Sequence, residues 1–149
     1  MLARRKPSVA GLLAILAFGL PAASCGSSTE PEEEPEVAIM RLTVGAQTVD
    51  VAEDGAVSGG PIVIAQGNTA ISAAFLRADG TADPLVTADV FRLDAESDNA
   101  GIASFVRGGS FNGSLVGAAA GSTILRFSLF HLEEQHEDFG PFPVAVTVQ

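Results

Sequence analysis

The chain has 149 residues, of which 18 are acidic, eight are lysine or arginine and two are histidine, giving a net charge of −10 at neutral pH. So acidic a chain argues against nucleic acid and anionic headgroups as partners, because binding phosphate takes clustered cations and these are scattered. Its single cysteine excludes an intramolecular disulfide, and the absence of tyrosine and tryptophan removes the usual stacking platforms for sugars.

Residues 1–24 read as a signal peptide. Arg4, Arg5 and Lys6 form a basic start, Val9 to Leu20 an uncharged apolar run, and Pro21 a break. The run is shorter than the roughly 20 apolar residues needed to cross about 30 Å of hydrocarbon. Arg4-Arg5 is followed by Lys6-Pro7-Ser8 and not by a bulky apolar pair, which favours the general secretory route over the twin-arginine one.

The segment Pro21-Ala22-Ala23-Ser24-Cys25 resembles a bacterial lipobox, with small residues directly before the cysteine. The resemblance implies lipidation at Cys25 and a lipid-anchored place in the cell envelope, at the outer membrane or cell surface. Ala22 stands where the lipobox usually has leucine, and Ala22-x-Ser24 also suits an ordinary signal peptidase, which would leave a secreted or periplasmic soluble protein. An exported chain with one cysteine favours the lipidated alternative, since an odd exposed thiol is a liability unless it is used. Several acyl chains, each stabilised by about 0.8 kcal/mol per buried methylene, make such an anchor durable.

Cys25 to Glu36 continues as an acidic flexible tether: five glutamates, two prolines and no large apolar residue cannot bury enough surface to offset chain entropy. Beyond the signal the chain keeps five arginines against 18 acidic residues, a net charge near −13.

Residues 37–149 are expected to form one domain. Large apolar side chains alternate with small or polar ones in Leu125-Arg126-Phe127-Ser128-Leu129, in Phe142 to Val148 and in Ile71 to Phe75, the period of a strand with one face on a core. Turn signals separate such runs, among them Asp54-Gly55, Gly59-Gly60-Pro61 and Gly108-Gly109. The pattern predicts strands near 37–44, 47–52, 61–65, 69–77, 86–93, 102–106, 111–116, 123–132 and 142–148, the earliest two possible as one bent edge strand. It predicts a closing hairpin across Glu133 to Gly140. The expected fold is all-β, an immunoglobulin-like antiparallel β-sandwich.

Gly67-Asn68-Thr69-Ala70-Ile71, Val90-Phe91-Arg92, Glu96-Ser97-Asp98-Asn99, Ile102-Ala103-Ser104-Phe105 and the run Gly113 to Thr123 follow one another in an order that resembles the group 2 bacterial Ig-like domains of intimins and invasins. The resemblance covers roughly residues 63 to 149. Phe91 stands where that family usually has tryptophan, and the last hairpin is more acidic than usual. The resemblance implies a spacer, adhesion or assembly module with a protein partner in the envelope, and it brings no catalytic residues.

No Gly-x-Ser-x-Gly elbow, His-Glu-x-x-His, Gly-x-x-x-x-Gly-Lys-Ser/Thr or Cys-x-x-Cys occurs, so the chain is not expected to be an enzyme. Gly117 to Ser122 is better explained by a tight crossing between strands than by a phosphate loop, because no lysine follows Gly121. Two acidic stretches bear on a cofactor, where the main expectation is none. Asp94 to Asn99 places oxygens at alternate positions as calcium loops do, but Phe105 stands where the bidentate glutamate is required. His131 to Asp138 holds both histidines. An extended strand puts His131 and Glu133 on one face, and a turn could return His136 or Asp138 toward them, a mixed nitrogen and oxygen set that zinc accepts. The alternative to an interaction module is thus a divalent-metal-binding surface or periplasmic protein using that hairpin.

Overall fold

Period-two patterning organises the described residues into ten strands: β1 (Ile39–Val44), β2 (Gln47–Ala52), β3 (Val57–Ser58), β4 (Ile62–Ile64), β5 (Gly67–Leu76), β6 (Phe91–Ser97), β7 (Ala103–Arg107), β8 (Asn112–Gly117), β9 (Gly121–His131) and β10 (His136–Val148). The computed structural model describes residues 33–149, and Glu33–Gln149 is one compact unit. The expected signal peptide, Cys25 and the expected tether as far as residue 32 lie outside the described residues. No helix among the described residues is long and apolar enough to cross a membrane.

The strands form a six-stranded sheet in the order β3-β2-β1-β5-β8-β7 and a four-stranded sheet in the order β4-β10-β9-β6. Neighbours are antiparallel except β4 and β10, which run parallel through Val146↔Ile62 and Val148↔Ile64. Order β1-β5-β8-β7 in one sheet and β10-β9-β6 in the other is the immunoglobulin arrangement, with β2 and β3 added beyond β1. The protein is an all-β sandwich of this type.

The inner faces meet in a single apolar core. Met40, Leu42, Val49, Val51 and Leu115 of the larger sheet, and Ile62, Leu93, Leu125, Phe127, Leu129, Val144 and Val146 of the smaller one, are completely buried. Each fully buried aliphatic or aromatic side chain contributes about 1.5–3 kcal/mol, so alternation along β1, β9 and β10 is the main force holding the sheets face to face.

Two local features close the structure. Gly117 pairs with Gly67 on one side and Ala103 on the other, and a Cβ there would come within 2.6 Å of the Ala65 carbonyl oxygen and 2.9 Å of Val148 Cγ1. The expected tight crossing at this glycine run is present, and only glycine leaves room for it. On β4, the Gln47 side chain takes the place of a neighbouring strand: its Oε1 accepts from the Val63 N–H at 3.0 Å and its Nε2 donates to the Pro61 carbonyl at 2.6 Å.

Several sequence expectations need correction. The first two strands are not one bent edge strand: Gly45, at φ 57°, turns the chain so that β1 lies between β2 and β5. The strand expected at 86–93 is β6, from Phe91 to Ser97. Residues before it are held in turns, because the Asp83 carboxylate accepts the Leu85 N–H at 2.9 Å and Phe91 N–H reaches back to the Thr87 carbonyl. The short strand β3 was not expected at all. The closing turn is Leu132 to Gln135, with Gln135 at φ 59°, and β10 begins at His136, six residues before the expected start.

Candidate functional site

Leu125, Phe127 and Leu129 face the core from β9, and the same alternation carries His131 to the end of that row. There its imidazole packs on Phe91, its register partner in β6, with ring centroids 4.7 Å apart, and its side chain is only 14% exposed. His136 is its register partner on the other side, in β10, with centroids 5.9 Å apart. Phe91, His131 and His136 thus form one row across three strands at an end of the sandwich.

The register of β10 does not run straight from that row into the core. Glu137 opposes Phe130, Phe139 opposes Leu129 and Phe142 opposes Phe127, so one extra residue is inserted on each side of Phe139. The first of these bulges is Asp138, whose carboxylate is turned back toward the histidines: Oδ1 lies 2.7 Å from His136 Nε2 and Oδ2 lies 3.8 Å from His131 Nδ1. Glu134, in the tight turn, places Oε2 3.5 Å from His131 Nδ1 and 3.5 Å from His136 Nδ1.

The structure therefore brings together His131, Glu134 and His136, whose ligand atoms lie within 4.8 Å of one another, with Asp138 against them. Glu133, expected from strand geometry to share the face of His131, is not in that group: the strand ends at His131, and Glu133 is an exposed residue of the turn. Glu134 was missed for the same reason, since a tight turn starting right after His131 brings its third residue, Glu134, to the place where Glu133 of an extended strand had been expected. The His131 Nδ1 atom is buried and makes no hydrogen bond.

The other acidic stretch is strand as far as Ser97. Asp94 and Glu96 lie within β6, opposite Ser128 and Arg126, and share the face away from buried Phe91 and Leu93. Asp94 is engaged by Arg107 at 2.9 Å and Arg92 at 3.3 Å, and Asp98 by Arg126. Residues 94–97 are therefore strand rather than the loop that the calcium pattern supposes. All five arginines among the described residues are bound to aspartates in this way, the others being Arg41 to Asp50 at 2.8 Å and Arg77 to Asp83 at 3.2 Å.

A groove of about 680 Å³ lies beside the histidine row, with Val37, Ala38, Phe139 and Phe142 among its apolar lining and Glu36, Glu53, Asp79 and Asp138 among its acidic lining. Arg77 also borders it, already paired with Asp83.

In comparison with known proteins, the chain matches no family model and no curated relative.

Proposed function

We propose that this chain is exported to the bacterial cell envelope, fixed there by lipid on Cys25, and that residues 37–149 serve as a non-catalytic Ig-like module in a structural, adhesion or protein-interaction role. The observation that carries this reading is the immunoglobulin strand order, two sheets closed on an apolar core, directly following a lipobox-like cysteine and an acidic stretch. Group 2 bacterial Ig-like domains are the family the reading takes it to resemble. The groove supports an interaction role: a lining that mixes apolar side chains with carboxylates suits a partner segment that is both apolar and basic.

Two measurements test it. The wild-type protein should label with palmitate and stay with membranes through a high-salt wash, whereas Cys25→Ala should lose the label and become soluble. Recovery of Cys25→Ala in washed membranes would overturn the anchoring. For the interaction role, a photo-crosslinker at Glu53, on the groove rim, should trap a discrete envelope protein, while one at Val63 on the far β4 should not. Equal, diffuse labelling from both positions would remove the groove as the contact surface.

A further inference from the structure

We propose that the tip of the β9–β10 hairpin is a binding site for a divalent transition metal of the zinc type, with Nδ1 of His131, Nδ1 of His136 and the Glu134 carboxylate as ligands and Asp138 as a positioning residue. The inference does not depend on the anchoring or on a protein partner.

Donor spacing supports it first. Atoms bound 2.0–2.1 Å from a tetrahedral zinc stand about 3.4 Å apart, and Glu134 Oε2 is 3.5 Å from each Nδ1. The second support is an unsatisfied atom: His131 Nδ1 is shielded from solvent and has no hydrogen-bond partner, a costly state that a ligand bond relieves. Third, Asp138 Oδ1 lies 2.7 Å from His136 Nε2, so a carboxylate stands at the far nitrogen of that ring while its Nδ1 is 3.5 Å from Glu134. A carboxylate holding the far nitrogen of a ligating histidine is the common outer support of zinc sites. Stacking on Phe91 and the bulge at Asp138 hold both rings before any ion arrives. Two imidazoles and one carboxylate suit zinc and its neighbours; calcium and magnesium take six or more oxygens. Three protein ligands leave a fourth position to water or to a group from a partner.

The test is calorimetric titration of the full-length chain with zinc chloride and, separately, calcium chloride. Zinc should bind saturably, one per chain, and raise the melting temperature by mass action, whereas calcium should do neither. His136→Ala, at a side chain half exposed and outside the core, should fold normally and lose zinc binding. Glu134→Gln should weaken it, Asp138→Asn should weaken it about 10–100-fold, and Glu133→Gln should leave it unchanged. Any of three results overturns the proposal: no saturable zinc binding up to about 100 μM, undiminished binding by a folded His136→Ala, or calcium binding as tight as zinc. A loss in Glu133→Gln as large as that in Glu134→Gln would overturn the ligand assignment.

Discussion

The Asp83 carboxylate accepts the backbone N–H of Glu36, 47 residues earlier, at 2.7 Å. The same carboxylate accepts from Leu85 N–H and from Arg77 Nε, so one buried side chain ties the segment before β1 to the turn before β6 and to the end of β5. Burial pushes the Asp83 carboxyl up, but the Leu85 and Glu36 N–H groups and the Arg77 guanidinium outweigh it and hold it below the usual carboxylate range.

A group whose folded value lies below its unfolded one, about 3.9 for aspartate, contributes stability above that pH and loses it as pH falls through the folded value. Thermal unfolding of the wild type should therefore show a loss below about pH 4 that is smaller in Asp83→Asn, which has no proton to take up. Asp83→Ala should cost about 1–3 kcal/mol at pH 7, because the Leu85 N–H loses its partner. Identical acid profiles for wild type and Asp83→Asn would show that the clamp contributes nothing to the pH dependence.

Phe127 is the largest completely buried side chain, opposite Ala95 in β6 and Phe142 in β10. Phe127→Ala should destabilise the domain by about 3–5 kcal/mol in urea unfolding. Val63→Ala, at a side chain 44% exposed on β4, should change it by less than about 0.5 kcal/mol. A reversed order of the two effects would contradict the facing of the smaller sheet.

Gly117→Ala should cost about 1–3 kcal/mol, because the added methyl meets a backbone carbonyl in the Ala65 segment and a packed valine, neither of which swings away as a long side chain would. Denaturant titration showing an unchanged midpoint would mean that the β8 crossing is looser than its geometry.

How far the fold could be read from the sequence depended on whether local pattern alone decided each element. β9 was legible because Leu125, Phe127 and Leu129 keep strict period two and nothing interrupts it. β6 was misplaced by several residues because Asp94, Glu96 and Asp98 have the composition of a turn, and only pairing with β9 and with Arg92, Arg107 and Arg126 makes them strand and strand-end residues. Both histidines and Asp138 were legible as candidates by residue type. Their arrangement was not, because two bulges in β10 space His136, Phe139 and Phe142 three apart, where a sequence reader expects two. The glutamate was misassigned by one position, the distance by which the actual turn begins earlier than the expected one.

Gln47 has a consequence for how many copies of this domain can share a surface. An open strand edge is a template on which a second chain can add itself. Here the carboxamide of Gln47 already occupies the outer hydrogen-bonding groups of Pro61 and Val63 on β4, β3 is only two residues long, and the edges of β6 and β7 are joined to neighbouring segments through Leu93 N–H to the Ser110 carbonyl and Ser97 Oγ to the Ala103 carbonyl. A second chain therefore finds little unpaired backbone along β3 and β4, and the large excess of negative charge works against close approach of copies.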